Sequence, residues 1–161
     1  MAQKHSHHYE VRLRWTGNRG TGTSAYAAYG RDHMVSAAGK PDLSGSSDTA
    51  FRGDPDRWNP EELLVAALSQ CHLLAYLHEC VKAGVSVTEY SDAASGTMET
   101  DAEGGGHFTE VTLLPVVSVA EPGMAQRAEA LHDEAHRHCF IASSVNFPVT
   151  HRPSVKVAGT L

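Results

Sequence analysis

The sequence predicts an α+β fold in which antiparallel sheets pack on a central apolar helix. Three observations lead there. Stretches of alternating apolar and polar residues come in pairs joined by short loops. One long segment is apolar nearly all round, and a second, amphipathic helix precedes a last strand-like stretch. At 161 residues the chain can bury one core, so it reads as a single domain over 1–161, with 1–8 as a flexible tail containing His5, His7 and His8.

The elements follow in order. "YEVRLRWTG" sets Tyr9, Val11, Leu13 and Trp15 on one face and Glu10, Arg12 and Arg14 on the other, the pattern of a half-buried strand. "GNRGTG" is a turn, and "TSAYAAYGRDHMVSA" is a second strand that completes a hairpin. Residues 39–60, rich in Gly, Ser, Asp and Pro, read as loop with a short strand within 42–50. Asn59 is an N-cap, Pro60 the first helical residue, and Glu61 and Glu62 suit the positive end of the helix dipole. The helix runs to Ala83, where Gly84 stops it. Residues 85–100 and 107–120 read as two strands joined by "DAEGGGH". Pro122 and Gly123 open a second helix with Met124, Ala128 and Leu131 as its inner stripe, and "NFPVTHRPSVKVAGTL" supplies a last strand.

Charge and composition exclude several function classes. The net charge is −6 and the basic residues do not cluster, which argues against nucleic acid as a partner. No apolar run reads as a membrane span, which needs roughly 18 to 20 residues. The N-terminus has no apolar signal core, so the chain is expected in the cytoplasm with its three cysteines reduced. The helix at 60–83 is apolar through its middle and needs cover on all sides, more than one small sheet gives; a second subunit is a source of the rest.

The chemistry-bearing residues are Cys71, in the first helix, and Cys139, at the end of the second. A lone cysteine in such a place is commonly a small core hydrophobe, and Cys80 is read that way. Two cysteines on separate helices also suit a thiol peroxidase, in which one thiolate attacks an oxidant and the other resolves the sulfenic acid. Zinc is the competing reading. His132 and His136 share a helix face four residues apart, and His72, His78 and His138 lie near the cysteines. Neither helix carries C-x-x-C or H-E-x-x-H, so no metal ligand and no cofactor is assigned. A non-catalytic binding protein on the same fold is a further alternative.

"NPEELLVAALSQC" followed by "HRHCFIASSVNFPV" resembles the OsmC/Ohr family of thiol-dependent organic hydroperoxide reductases, and the resemblance extends over nearly the whole chain. The "CFIASSV" ending is more similar to the OsmC branch. The resemblance implies an intertwined α+β homodimer with active sites at the subunit interface, organic hydroperoxides as substrates, and a dithiol reductant such as a lipoylated protein. It implies that Cys71 is the peroxidatic cysteine, Cys139 the resolving one, and Glu61 the acid that orients an active-site arginine. Arg19 is the choice for that arginine, with Arg31, Arg52 and Arg57 left open. Glu61 and Cys71 are ten residues apart, about 15 Å of helical rise, so either the helix breaks or Glu61 serves the partner chain. Read without the resemblance, Glu61 is simply a charge at the helix N-terminus. Cys80 lies about 13 to 14 Å of rise beyond Cys71, too far for a bridge on a continuous helix.

Overall fold

The structure, a computed structural model, describes residues 5–159, and the expected tail lies partly outside them. The chain divides into two compact units at the Leu63/Leu64 boundary, inside the first helix. The fold is α+β, as the sequence predicts, but two of the three sheets among the described residues are mixed rather than purely antiparallel.

The first unit is a small antiparallel sheet. Strands β1 (Arg12–Trp15), β2 (His33–Ser36) and β3 (Leu43–Gly45) lie in that order, with Arg12 opposite Ser36 and Met34 opposite Ser44. The expected hairpin is present, yet its second strand starts ten residues later than the alternation suggests. Arg31 explains the delay. Its Nη1 donates to the carbonyls of Tyr26 and Tyr29 at 2.9 and 2.6 Å, and its guanidinium sits 4.4 and 4.1 Å from the centres of the two rings. Those contacts curl residues 24–29 into a turn. The apolar face of residues 9–15, expected to be half-buried, is exposed in the single chain: Tyr9 and Val11, in the stretch leading into β1, and Leu13 on it keep 86, 72 and 67% of their surface. Alternation reports a face that calls for cover, not what covers it.

Helix α1 (Pro60–Ala83) has the predicted ends. Asn59 Oδ1 accepts from the Glu62 amide at 2.8 Å while Glu62 Oε2 accepts from the Asn59 amide at 3.4 Å, a reciprocal cap. At the other end Gly84 takes φ +69°, Val85 N–H donates to Cys80 C=O and Gly84 N–H to Val81 C=O, which satisfies two terminal carbonyls. Contrary to the sequence reading, α1 is long and apolar enough by composition to cross a membrane. Its buried Leu68, His72, Tyr76 and Cys80 nevertheless pack as core residues.

The second unit contains the rest of α1 and six strands. The two long strands of the sequence reading are each broken in two: β4 (Val87–Asp92) and β5 (Ser95–Thr100), then β6 (Gly106–Leu113) and β7 (Pro115–Val119). Asp92 sits at the break. Its carboxylate accepts from the Leu114 amide at 2.7 Å and from Ser69 Oγ at 2.6 Å, taking the place of a ladder partner. Helix α2 (Ala125–His138) follows a 3₁₀ turn at Pro122–Met124 and buries Ala128, Leu131, His132 and Ala135. The last strand of the sequence reading is also two: β8 (Val149–His151) and β9 (Ser154–Val157). They pair parallel to β6 and β7, giving the orders β5-β6-β8 and β4-β7-β9. A parallel partner arrives through the α2 crossover, which residue alternation does not encode.

Candidate functional site

The two motif cysteines meet. Cys71 lies on α1 and is half-buried; Cys139 caps α2 and is 1% exposed. Adjacent amides of one turn reach both sulfurs, which brings the two side chains together. Cys139 leaves the helix in an extended conformation, and the chain then tightens into a 3₁₀ turn at Ala142–Ser144. Ser143 holds that turn by donating from its amide and its hydroxyl to the Cys139 carbonyl, both at 3.1 Å. Two amides there face sulfur: Ile141 N–H donates to Cys71 Sγ at 3.5 Å and Ala142 N–H to Cys139 Sγ at 3.4 Å. Burial, and then the Cys71 sulfur beside it, push the Cys139 thiol up to about 11, against the opposing pull of the Ala142 and Ile141 amides. Cys139 therefore keeps its proton at neutral pH. All three cysteines are free.

Cys71 opens onto a groove of about 500 Å³. Leu74, Ala75 and Phe140 form its apolar wall, and His78, Glu79, Lys82 and His138 its polar end. The α1 members, Cys71, Leu74, Ala75, His78, Glu79 and Lys82, recur at steps of three and four residues along one helix face, so a helical projection from Cys71 is the available signal. Glu79, Lys82 and Phe140 are not among the candidates read from sequence, and His138 is one only under the zinc alternative; Glu79 and His138 are 59 residues apart. Cys80, one position beyond Glu79, faces the opposite way into the core with Tyr76, Val85 and Val117, and burial raises its thiol pKa.

The histidines form a separate cluster behind Cys71. His72 Nε2 and His132 Nδ1 lie 2.9 Å apart, one donating to the other. His132 stacks on Tyr76 at 3.9 Å between centroids, and His151 lies 5.4 Å from His72 and 5.5 Å from His136. Burial, then the charges of His151 and His136, lower His72 to about 4; burial, then His72 and His151, lower His132 to about 3. Asp92 opposes the first shift and Asp133 the second. His72 Nδ1 and His132 Nε2 are buried without a hydrogen-bond partner among the described residues. No group of three or more His, Cys, Asp or Glu among those residues is placed to hold a metal ion, so His132 and His136 share a face without gathering a ligand set. His5, His7 and His8 are exposed.

The remaining candidates lie in the first unit. Glu61 is in the first turn of α1, and Arg19 is exposed in the loop after β1. Arg31 is held between Tyr26 and Tyr29, and Arg57 by Asp54 and Asp32 at 3.4 and 3.9 Å. Arg52 is exposed, with φ +67° at the end of a 3₁₀ turn.

Comparison with known proteins places this arrangement. The chain is similar to an OsmC-like protein of unknown function from Vibrio cholerae O1 biovar eltor str. N16961, at 28% identity and a TM-score of 0.81 over 92% of this chain and 100% of the other. It shares its fold with an organic hydroperoxide resistance protein from Elizabethkingia anophelis, at 20% identity and a TM-score of 0.65, covering 95% of this chain and 99% of that one. It likewise shares its fold with an organic hydroperoxide resistance protein, OsmC, from Legionella pneumophila, at 18% identity and 0.65, covering 96 and 100%. No curated protein matches. The family model for OsmC-like proteins fits residues 53–154, which hold both cysteines and span more than half of the chain, and the chain belongs to that family.

Proposed function

We propose that this protein is a thiol-dependent peroxidase that reduces organic hydroperoxides to alcohols in defence against oxidative stress. The observation behind this reading is the placement of Cys71 and Cys139. The half-buried thiol opens onto an apolar groove, and the buried thiol lies beside it, the adjacent amides of Ile141 and Ala142 reaching the two sulfurs. Cys71 attacks the peroxide and becomes a sulfenic acid; the Cys139 thiol then displaces water and a disulfide forms. An external dithiol, such as a lipoylated protein, returns the pair to thiols. The apolar wall of Leu74, Ala75 and Phe140 favours an alkyl or aryl peroxide over hydrogen peroxide. The name organic hydroperoxide resistance protein, borne by two proteins of the same fold, supports the substrate class.

The working unit is a homodimer of single-domain chains in the cytoplasm. Two uncovered apolar faces support the dimer: Tyr9, Val11 and Leu13 leading into and on β1, and Leu74, Leu77 and Val81 on α1. Arg19 serves as the cation that favours the Cys71 thiolate, with Glu61 holding its guanidinium. Because α1 is unbroken from Pro60 to Ala83, Glu61 serves the partner's thiol.

A coupled assay with dihydrolipoamide tests the reading. Wild-type protein turns over cumene hydroperoxide faster than hydrogen peroxide, and Cys71→Ser turns over neither, since a serine hydroxyl at neutral pH is not a usable nucleophile. Substantial turnover by Cys71→Ser would exclude Cys71 as the attacking group.

A further inference from the structure

The polar end of the groove contains an oriented histidine. Glu79 divides its carboxylate between two donors: His138 Nδ1 donates to Oε1 at 2.9 Å, and Lys82 Nζ donates to Oε2 at 2.8 Å. The Glu79 side chain is 7% exposed, while those of His138 and Lys82 are 55 and 54% exposed. The Lys82 hydrogen bond, and after it that of His138, keep the Glu79 pKa below its ordinary value, so the carboxylate stays ionised. A carboxylate on Nδ1 fixes the ring and leaves Nε2 as the nitrogen that takes and gives a proton. His138 lines the same groove as Cys71 and directly precedes Cys139.

We propose that His138, oriented by Glu79, is the general acid that protonates the leaving alkoxide when Cys71 reduces an alkyl hydroperoxide. This inference rests on the peroxidase reading and adds a residue to it. The Cys71 thiolate attacks the terminal peroxide oxygen; the S–O bond forms and the O–O bond breaks. Sulfur gives two electrons and becomes a sulfenic acid that retains the terminal O–H. The inner oxygen leaves with the electron pair of the broken bond and takes the Nε2 proton of the His138 imidazolium, a proton that the Cys71 thiol gave up on becoming the thiolate, and departs as the alcohol, leaving the ring neutral with its proton on Nδ1. An alkoxide is a poor leaving group in an apolar groove, and positioned proton transfer contributes on the order of 10²- to 10⁴-fold in such steps. Cys139 is not the donor because its proton leaves with water in the next step. Lys82 is tied to Glu79 and acts through it, as a positioning residue that keeps the carboxylate charged.

The leaving group supplies the test. A peroxy acid expels a carboxylate, which needs no proton; tert-butyl and cumene hydroperoxide expel alkoxides, which do. Single-turnover loss of free thiol is measured for wild type, His138→Gln and Glu79→Gln with each alkyl peroxide and with peroxybenzoic acid. Both variants are expected to slow by about tenfold or more with the alkyl peroxides and by less than about twofold with the peroxy acid. Equal slowing with both classes assigns the pair a purely structural role and overturns the proposal; so does no slowing in either variant. In both of those outcomes the wild type still consumes peroxide, and the peroxidase reading survives. A wild type whose thiols react with none of the three peroxides overturns that reading, and the general acid with it.

Discussion

On the proposed reading, Cys71 and Cys139 differ in exposure, and that difference sets their order of action. The more exposed sulfur meets the substrate; the buried one, raised to about 11 by burial and by its neighbour, waits as a thiol. A thiol there avoids like-charge repulsion with a Cys71 thiolate before peroxide arrives; in the resolving step its proton leaves with the sulfenic acid oxygen as water while the S–S bond forms. Cys139→Ser is therefore expected to react once and stop as a sulfenic acid that dimedone traps. In wild-type protein treated with one equivalent of peroxide and alkylated before digestion, peptide mapping should find Cys71 bridged to Cys139 and Cys80 alkylated. Cys80 faces the core with Tyr76 and Val117, so a dominant bridge to Cys80 would overturn the assignment. The two cysteines stand out in the sequence through the stretches that hold them, NPEELLVAALSQC and HRHCFIASSVNFPV, read together. Their contact, and the Glu79–His138 pair beside it, depend on how α2 docks, which no local spacing states.

At the scale of elements, α1 could be read from its ends inward. The reciprocal Asn59–Glu62 cap and the left-handed Gly84 are local chemistry, so a single sequence specifies them. The breaks at Asp92 and Leu114, and the parallel docking of β8 and β9, are long-range events that alternation cannot report. The histidines join three elements, α1, α2 and β8, and this contact sets a pH dependence. His72 is lowered from 6.5 to about 4 in the folded chain, chiefly by burial. A histidine whose folded pKa is depressed contributes stability that is present above its unfolded pKa and lost as pH falls toward the folded value. From His72 alone the expected loss between pH 7 and pH 5 is about 2 kcal/mol, with His132 acting in the same direction. Asp92 and Asp133 face the cluster with opposite charge and moderate the loss; His136 and His151 add to it. Urea denaturation at the two pH values measures it. His72→Leu is expected to flatten the slope, and an unchanged slope in that variant would place the acid sensitivity elsewhere.

For the whole molecule, the question is what covers its apolar faces. Leu74 is 66% exposed and Val81, two turns further along the same side of α1, 78%, and Phe140, which shares the groove with Leu74, is 81% exposed. Such a continuous apolar stripe is characteristic of an interface rather than of a solvated surface. The face of residues 9–15, with Tyr9, Val11 and Leu13, is a second one. If a second copy covers them and Glu61 reaches the partner's thiol, activity belongs to the dimer and two defective chains can repair each other. Cys71→Ser and Glu61→Ala homodimers are each expected to be nearly inactive, for different reasons. After equimolar co-refolding, about half of the dimers are hybrids, and each hybrid has one working site made of Cys71 from one chain and Glu61 from the other. Turnover should therefore recover to about a quarter of the wild-type value per chain. Glu61 acting on its own chain's thiol predicts no recovery, because the chain that keeps Cys71 then lacks its glutamate. Native mass spectrometry of the mixture, in which a hybrid has a mass between those of the two homodimers, separates that outcome from a failure to exchange subunits: hybrids that form without regaining activity would assign Glu61 to its own chain, or to no role beyond the dipole of α1.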